Sequence, residues 1–239
     1  MPDHLDKYKN LKEYYADKKN IFKFQKPGDY LILNKEDKNL QKFAKQAKSK
    51  IIWFSAKTKG GATIAVSKIL GIPQLIIQKN IKNFKGIPNR LELIAKKNGV
   101  KYYNDTTATT PDATIYALNS LGKYKGRIIL IAGGVDKKLD YKNLAKEIPK
   151  YVKTLILLPG TASDKIEKTL KIKRLKPAIP YDRMELIQVT SMKCAIKEAR
   201  RFSQKDDIVV LSPAAASFNI FKNEFDRGDQ FVKFVKLLK

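Results

Sequence analysis

Short apolar runs alternate with amphipathic segments along most of the chain. In the first part, apolar residues at helical spacing predict one helix over residues 11–24, and DYLILN and KIIWFS predict strands on either side of a polar helix, KEDKNLQKFAKQAKS. This βαβ order is typical of a parallel sheet. After Ser55 the alternation changes, because AKTKGG leads directly into a helix, ATIAVSKILG, and then a second apolar segment, PQLIIQKNIKNF.

The second part begins with two apolar runs that flank Asn98-Gly99, a strong signal for a β-hairpin. A helix with Pro111 in its first turn follows. From Arg127 onward, RIILIAGG, TLILLPG, ELIQV and DIVVLS predict strands that alternate with helices, and their Val, Ile and Leu runs are typical of strands buried on both faces. We therefore predict an α/β protein whose residues 90–239 form a Rossmann-like, doubly wound domain with a mostly parallel sheet, preceded by a separate part over residues 1–89.

Length and composition narrow the class of protein. With 239 residues and 43% apolar content, the chain can bury a sizeable core. It contains neither an apolar run of membrane-spanning length nor an apolar segment near the N-terminus, so we predict no membrane contact and expect a cytoplasmic location. The single cysteine excludes an intrachain disulfide. The oligomeric state stays open, with a monomer favoured.

The formal net charge of +26 suggests nucleic acid as a partner, but its distribution argues against that function. Only seven of the 49 basic residues are arginine, the side chain that suits bidentate contacts to phosphates and bases. The excess is also even, at +12 over residues 1–89 and +14 over residues 90–239. We interpret the positive charge as a bias in the amino-acid composition of the whole chain, and we keep nucleic-acid binding as an alternative function.

Unusual residues follow three of the predicted strands, in YYNDTTATTPD, IAGGVDKKLD and LSPAAAS. Ligands of parallel sheets bind beyond the carboxyl ends of the strands, where helix N-termini favour anions. Three small, polar loops beside Lys137 therefore predict an anionic ligand. The residues alone leave other interpretations open: Asp105 and Ser217 as turn or capping residues, the Gly133-Gly134 pair as a tight turn, and the three alanines as a place of close packing.

Five segments carry a resemblance to a known family: PDHLDKY with YYADKKNIF downstream, FKGIPNRLE, YYNDTTATTPDAT, LIAGGVDKKLDY and LSPAAASFNIFKNEFDRGDQF. In this order, over nearly the whole chain, they resemble the Mur ligases, in particular the branch that adds D-glutamate to a peptidoglycan precursor. The resemblance implies that residues 1–89 are the remnant of a central, P-loop-type ATPase domain and that residues 90–239 are the C-terminal domain. It also implies ATP and Mg²⁺ as cofactors, and UDP-N-acetylmuramoyl-L-alanine and D-glutamate as substrates, joined through an acyl phosphate.

The resemblance assigns roles to several residues. His4 matches a histidine near a metal ion and the incoming glutamate, and Lys18 matches a lysine that is carbamylated to support the metal. Arg90 and Asp105 match residues that contact the phosphate and the ribose of the nucleotide. Without the resemblance, His4 would be interpreted as a solvated residue and Arg90 as a link between the two parts of the chain.

The remaining assignments concern D-glutamate. Thr109, Lys137 and Ser217 match its binding residues, with Lys137 as the partner of a carboxylate. A further family position is aromatic, and the order Glu224-Phe225 places the aromatic residue, Phe225, one position later.

The chain also departs from the family. No GxxGK[ST] loop occurs in it, and it has no counterpart of the domain that binds the UDP sugar. Lys59 stands where the family has an adenine-side asparagine, Thr107 replaces a common lysine, and Asn89 replaces the usual histidine before Arg90. Because backbone donors around the ATP phosphates are missing, we expect no ligase activity from this chain alone. The alternatives are a non-catalytic domain that binds D-glutamate or a nucleotide, and a basic nucleic-acid-binding protein.

Overall fold

The structure, a computed structural model, describes residues 7–174 and 184–238. The chain divides into two compact units, one over residues 8–85 and one that contains everything from Gly86 onward. The predicted boundary, between residues 89 and 90, lies four residues after this division. Among the helices described, none combines the length and the apolar composition needed to cross a bilayer.

The N-terminal unit, residues 8–85, is built around two parallel strands. Its elements are α1 (Leu11–Lys18), α2 (Asn20–Lys23), β1 (Tyr30–Asn34), α3 (Lys38–Ala44), β2 (Lys50–Phe54), α4 (Gly61–Ile69) and α5 (Gln74–Asn83). β1 and β2 pair in register along their full length. A small core of buried side chains packs between this sheet and the helices and consists of Phe22, Leu31, Leu33 and Phe43.

One prediction for this unit was wrong. The helix expected over residues 11–24 is broken at Lys19 into α1 and α2. No side chain of α1 is buried, whereas Phe22 of α2 is buried in the core beside Phe43, with ring centroids 6.0 Å apart. From α1, the half-buried Tyr15 packs against the same core, with its ring centroid 5.7 Å from that of Phe43. Two short helices that each place an aromatic side chain on Phe43 therefore replace the single helix that the spacing predicts.

The C-terminal unit contains a six-stranded sheet with the order β3-β4-β8-β5-β6-β7. Its elements are β3 (Glu92–Lys97), β4 (Val100–Asn104), α6 (Pro111–Ser120), a 3₁₀ turn (Gly122–Tyr124), β5 (Ile128–Ala132), α7 (Lys142–Tyr151), β6 (Val152–Leu157), α8 (Thr161–Arg174), β7 (Glu185–Gln188), α9 (Met192–Phe202), β8 (Ile208–Leu211) and α10 (Glu224–Lys236). Only β3 is antiparallel to its neighbour, and the other pairings are parallel. The predicted α/β class and mostly parallel sheet are confirmed.

Helices cover both faces of this sheet. Alternate residues of β5 point to opposite faces, so that Leu130 packs in one apolar cluster with α6, α7 and α8, and Ile131 packs in another with α9 and α10. All five residues of β5 and all four of β8 are buried, which explains why the sequence shows continuous apolar runs there. The doubly wound arrangement follows from this pattern.

The local signals of the second part are also confirmed. Asn98 and Gly99 connect β3 to β4 with φ of 51° and 79°, the left-handed conformation that a two-residue hairpin turn requires. Pro111 occupies the first turn of α6, and the side chain of Thr110 caps that helix by accepting a hydrogen bond from the backbone N–H of Ala113.

Candidate functional site

Three neighbouring strands bring their loops to one edge of the sheet. β8 lies between β4 and β5 and is parallel to both, so the carboxyl ends of the three strands coincide. The loops that follow them are called the 105 loop (residues 105–110), the 133 loop (residues 133–141) and the 213 loop (residues 213–223), and together they form the rim. The 105 and 133 loops lead to helices on one face of the sheet, and the 213 loop leads to α10 on the other. Such a divergence opens the crevice in which α/β proteins bind ligands.

Backbone hydrogen bonds join the three loops of the rim. The N–H of Ala214 donates to the carbonyl of Ala108 at 2.8 Å. Val135 and Ala216 exchange two hydrogen bonds, at 2.9 and 3.1 Å, as in an antiparallel bridge. The hydroxyl of Tyr141, a buried residue, donates to the carbonyl of Ala214 at 3.2 Å. The three loops of the rim are therefore hydrogen-bonded to one another, and we expect a displacement of one loop to move the others.

The small residues of the rim are required by close approach of the backbone. A Cβ on Gly134 would lie 2.2 Å from the carbonyl oxygen of Ala216, and one on Gly133 would lie 2.1 Å from Oγ of Ser163. Both glycines have positive φ, at 102° for Gly133 and 137° for Gly134. Tight turns and close packing, which the sequence left open as interpretations, thus account for these residues, and they are also what brings the loops together.

Lys137 and Thr109 meet at this rim. The Nζ of Lys137 donates a hydrogen bond to Oγ1 of Thr109 at 3.2 Å, although the residues are 28 positions apart. Lys137 is only 8% exposed. The neighbouring Asp136 points elsewhere, because its carboxylate pairs with Lys165 at 2.9 Å and accepts the N–H of Leu139. Lys137 therefore places a cation, nearly withdrawn from water, between two of the three loops.

Ser217 lies on the third loop, one residue after the bridge between Val135 and Ala216. Its side chain is 2% exposed, and within the described part of the chain its hydroxyl has no hydrogen-bond partner. A buried hydroxyl without a partner is unfavourable by about 1–3 kcal/mol, so this atom is suited to a ligand or a water molecule. Ser217 is not a helix cap, because Asn223 caps α10.

Asp105 is the most perturbed acid of the rim. It is 7% exposed, and its two oxygens accept hydrogen bonds from the backbone N–H of Leu91 at 3.1 Å and from Oγ of Ser212 at 2.8 Å. Burial raises the pKa of Asp105 to about 6, while those hydrogen bonds and the charge of Arg90 oppose the rise. Each carboxylate oxygen can accept a further hydrogen bond, so the group remains able to contact a ligand hydroxyl.

Arg90 lies in a strained turn beside Asp105. Its neighbours Asn89 and Leu91 have φ of 65° and 44°, and its own side chain is exposed. The turn is fixed to the 105 loop, since the carbonyl of Asn89 accepts a hydrogen bond from Oγ1 of Thr107 at 2.9 Å. Arg90 thus presents an exposed guanidinium from a fixed backbone, which suits a phosphate contact.

Arg227 is a functional candidate that the sequence analysis did not assign. It belongs to the first turn of α10, its side chain is fully buried, and it donates to Oγ1 and the carbonyl of Thr106 at 3.1 and 2.8 Å and to the carbonyl of Ala215 at 3.1 Å. The segment FKNEFDRGDQF belongs to the family resemblance and is rich in charged residues, but an arginine inside a charged helix is normally exposed.

Comparison with known proteins identifies the family of this fold. Residues 89–215 match the model of the Mur ligase glutamate ligase domain, and residues 1–86 match that of the Mur ligase middle domain. The chain belongs to the Mur ligase family.

A curated relative in this family is the UDP-N-acetylmuramoylalanine--D-glutamate ligase of Acetivibrio thermocellus, 36% identical over 276 aligned positions that include 100% of this chain and 58% of the relative. The chain thus spans less than two thirds of the length of that ligase. Among solved structures, MurF from Acinetobacter baumannii superimposes with a TM-score of 0.67 at 12% sequence identity, and the match covers 99% of this chain and 58% of the MurF chain. A bifunctional folylpolyglutamate synthase/dihydrofolate synthase with Mn, AMPPNP and L-glutamate bound has a TM-score of 0.62 at 13% sequence identity. That match covers 90% of this chain and 57% of the synthase chain.

Three further residues that the resemblance assigns do not belong to the three loops of the rim. Lys18 ends α1, is exposed, and has its Nζ 5.3 Å from the ring centroid of Tyr14. His4 lies outside the described residues. Phe225 belongs to the first turn of α10 and is 54% exposed, next to Glu224, whose carbonyl accepts a hydrogen bond from Oγ1 of Thr106.

A metal site is not evident in the described part of this Mur ligase. Over residues 7–174 and 184–238, no three His, Cys, Asp or Glu side chains come together in a way that could hold a cation. The polypeptide between the end of β2 and the start of α4 contains only residues 55–60, and no GxxGK[ST] sequence occurs in the chain. His4 and carbamylated Lys18, which the resemblance assigns to the metal, do not belong to this set, because His4 lies outside the described residues and an unmodified lysine is not a metal ligand.

Proposed function

We propose that this chain carries the D-glutamate-binding part of a UDP-N-acetylmuramoyl-L-alanine:D-glutamate ligase. The observation that carries the proposal is the hydrogen bond between Lys137 and Thr109, on the same rim as the buried, unpartnered hydroxyl of Ser217. The ammonium of Lys137 would pair with a carboxylate of D-glutamate, and the two hydroxyls would donate to it. A carboxylate suits the rim because a nearly buried cation attracts an anion more strongly than an exposed one does.

The chemistry proposed for the complete ligase follows from this placement. ATP, when bound, supplies the phosphoryl group that converts the carboxylate of UDP-N-acetylmuramoyl-L-alanine to an acyl phosphate. The amine of D-glutamate then attacks the acyl carbon, the C–N bond forms, phosphate leaves and the amine loses a proton. The role of the rim is to hold the carboxylate of D-glutamate, so that its amine remains as the reacting group.

Roles at the nucleotide belong to the same proposal. Arg90 would contact a phosphate of ATP with its exposed guanidinium, and Asp105 would accept a hydrogen bond from the ribose. His4 and carbamylated Lys18 would support Mg²⁺, and Phe225 would contact D-glutamate. A cytoplasmic location and a monomeric state remain part of this proposal.

A titration with D-glutamate tests the proposal. Backbone amides of the ¹⁵N-labelled chain are followed by NMR during addition of D-glutamate, with L-glutamate as the matched control. We expect shifts that saturate with D-glutamate in residues 105–110, 133–141 and 213–223, and weaker or absent saturation with the enantiomer. Shifts spread over exposed lysines, or equal responses to both enantiomers, would contradict a D-glutamate site at the rim.

A ligase assay tests the second part of the proposal, that this chain does not complete the reaction by itself. Because it contains no GxxGK[ST] loop, incubation with UDP-N-acetylmuramoyl-L-alanine, ATP and D-glutamate should yield neither product nor ADP. Formation of the dipeptide precursor would show that the chain cradles ATP in another way.

A further inference from the structure

The guanidinium of Arg227 is buried, and no carboxylate among the described residues pairs with it. Arg227 is 0% exposed, and in the described part of the chain it forms no salt bridge. Removal from water lowers the pKa of this guanidinium to about 10, against the opposing charge of Glu224. A buried cation that is compensated only by carbonyl and hydroxyl oxygens is unfavourable for folding. We therefore expect Arg227 to have a role other than stabilising the fold.

The partners of Arg227 indicate what that benefit is. Two of its hydrogen bonds go to Thr106 in the 105 loop, and the third goes to Ala215 in the 213 loop. These loops follow different strands, and Arg227 itself belongs to α10, so one rigid, planar group connects three elements. Lysine, with a single nitrogen, could not hold both loops at fixed spacing.

The packing around the next residue supports this connection. A Cβ on Gly228 would lie 2.7 Å from Cγ2 of Thr106 and 2.9 Å from Oδ1 of Asn89. Gly228 has an ordinary backbone conformation, so glycine is needed there only for space. The first turn of α10 therefore lies against the 105 loop as closely as the backbone permits.

We propose that Arg227 is a positioning residue, which holds the 105 and 213 loops at the spacing that lets Thr109 and Ser217 face one ligand carboxylate. Thr109 lies three residues after Thr106, and Ser217 lies two residues after Ala215, so a shift at either anchor is transmitted to the ligand-binding hydroxyls. The ligand part of this inference rests on the proposed D-glutamate site, whereas the loop-holding part does not.

Two readouts separate these parts. Arg227→Lys keeps the charge and removes the planar fork, and Arg201→Lys, at a side chain 72% exposed, is the matched control. We measure the affinity for D-glutamate and amide hydrogen exchange in the full chain. For Arg227→Lys we expect an affinity about tenfold lower, from the loss of charge-assisted hydrogen bonds. We also expect faster exchange at Ala214 and Ala216 but not at Leu130.

The outcomes are distinct. Parent-like affinity and parent-like exchange in Arg227→Lys would overturn the inference, and so would faster exchange that is equal throughout the β5 core. If the parent does not bind D-glutamate, the proposed function fails, and exchange alone still decides whether Arg227 holds the loops. If Arg227→Lys does not fold, Thr106→Val is used instead, because this substitution removes the Oγ1 that accepts a hydrogen bond from Arg227 and leaves the arginine in place. Unchanged exchange at Ala214 and Ala216 in Thr106→Val would then overturn the inference.

Discussion

At the scale of single residues, the candidate site depends on buried polar groups whose partners come from distant positions. Asp105 is the clearest case, because its carboxylate fixes the Leu91 backbone and Ser212 at once. Its pKa is about 6 in the folded protein and near 4 in an unfolded chain, so the folded state binds the proton more tightly.

This raised pKa predicts how stability changes with pH. Between about pH 4 and pH 6 the proton on Asp105 is retained in the folded state and lost in the unfolded one, so its contribution to the free energy of unfolding decreases as pH rises, by roughly 3 kcal/mol. Asp105→Asn, which does not titrate, should remove this slope. Urea unfolding of parent and variant at pH 4, 5, 6 and 7 measures it, and identical slopes in the two proteins would contradict the prediction.

Without the family resemblance, the sequence predicts few of the individual site residues. Thr109, Lys137 and Ser217 were assigned because their motifs resemble those of Mur ligases, and no periodicity relates them. Arg227 was missed because its hydrogen bonds to Thr106 join residues 121 positions apart. A local pattern cannot specify such a contact, since it depends on the docking of α10 against a loop that follows β4.

At the scale of elements, the rim depends on backbones that approach closely. Gly134 and Gly126 can be compared, because both have positive φ, at 137° and 76°, but a Cβ on Gly134 would meet the Ala216 carbonyl whereas one on Gly126 meets nothing within 4 Å. We expect Gly126→Ala to lower the free energy of unfolding by about 1 kcal/mol, from backbone strain alone. Gly134→Ala should lower it by about 3 kcal/mol or more, since a φ of 137° is outside the region that alanine readily adopts and the 213 loop must also move.

The same pair tests whether the loops act together. Gly134→Ala should also weaken D-glutamate binding, and Gly126→Ala should leave it unchanged. Denaturant unfolding and NMR titration provide the two measurements. Equal destabilisation by both alanines would mean that the 133 and 213 loops are not held in contact in solution.

Elements were predicted well where a local signal has one physical meaning. Asn98-Gly99 supplies two residues that tolerate positive φ, and β5 is apolar throughout because helices cover both of its faces. The segment over residues 11–24 was less well predicted. Its helical spacing was real, but the break at Lys19 accompanies the packing of Tyr15 and Phe22 on Phe43, a tertiary contact that helical spacing does not encode.

At the scale of the whole molecule, the net charge of +26 is divided almost evenly along the chain, with +12 over residues 1–89 and +14 over residues 90–239. We expect association with DNA to be unspecific, with affinities for unrelated duplexes within about twofold of each other and a roughly thousandfold decrease between 50 and 200 mM salt. Fluorescence anisotropy with two unrelated duplexes of equal length measures both. A clear preference for one sequence at high salt would instead support the nucleic-acid alternative.

The central claim is that Lys137 binds a carboxylate of D-glutamate at the rim, and calorimetric titration of two variants tests it most directly. Lys137→Ala removes the buried ammonium, and Lys138→Ala removes an equal charge from an exposed neighbour. Loss of a charge-assisted hydrogen bond should weaken D-glutamate binding by at least about tenfold in Lys137→Ala, with parent-like binding in Lys138→Ala. Equal affinities in both variants, or no binding of D-glutamate by the folded parent, would contradict the claim.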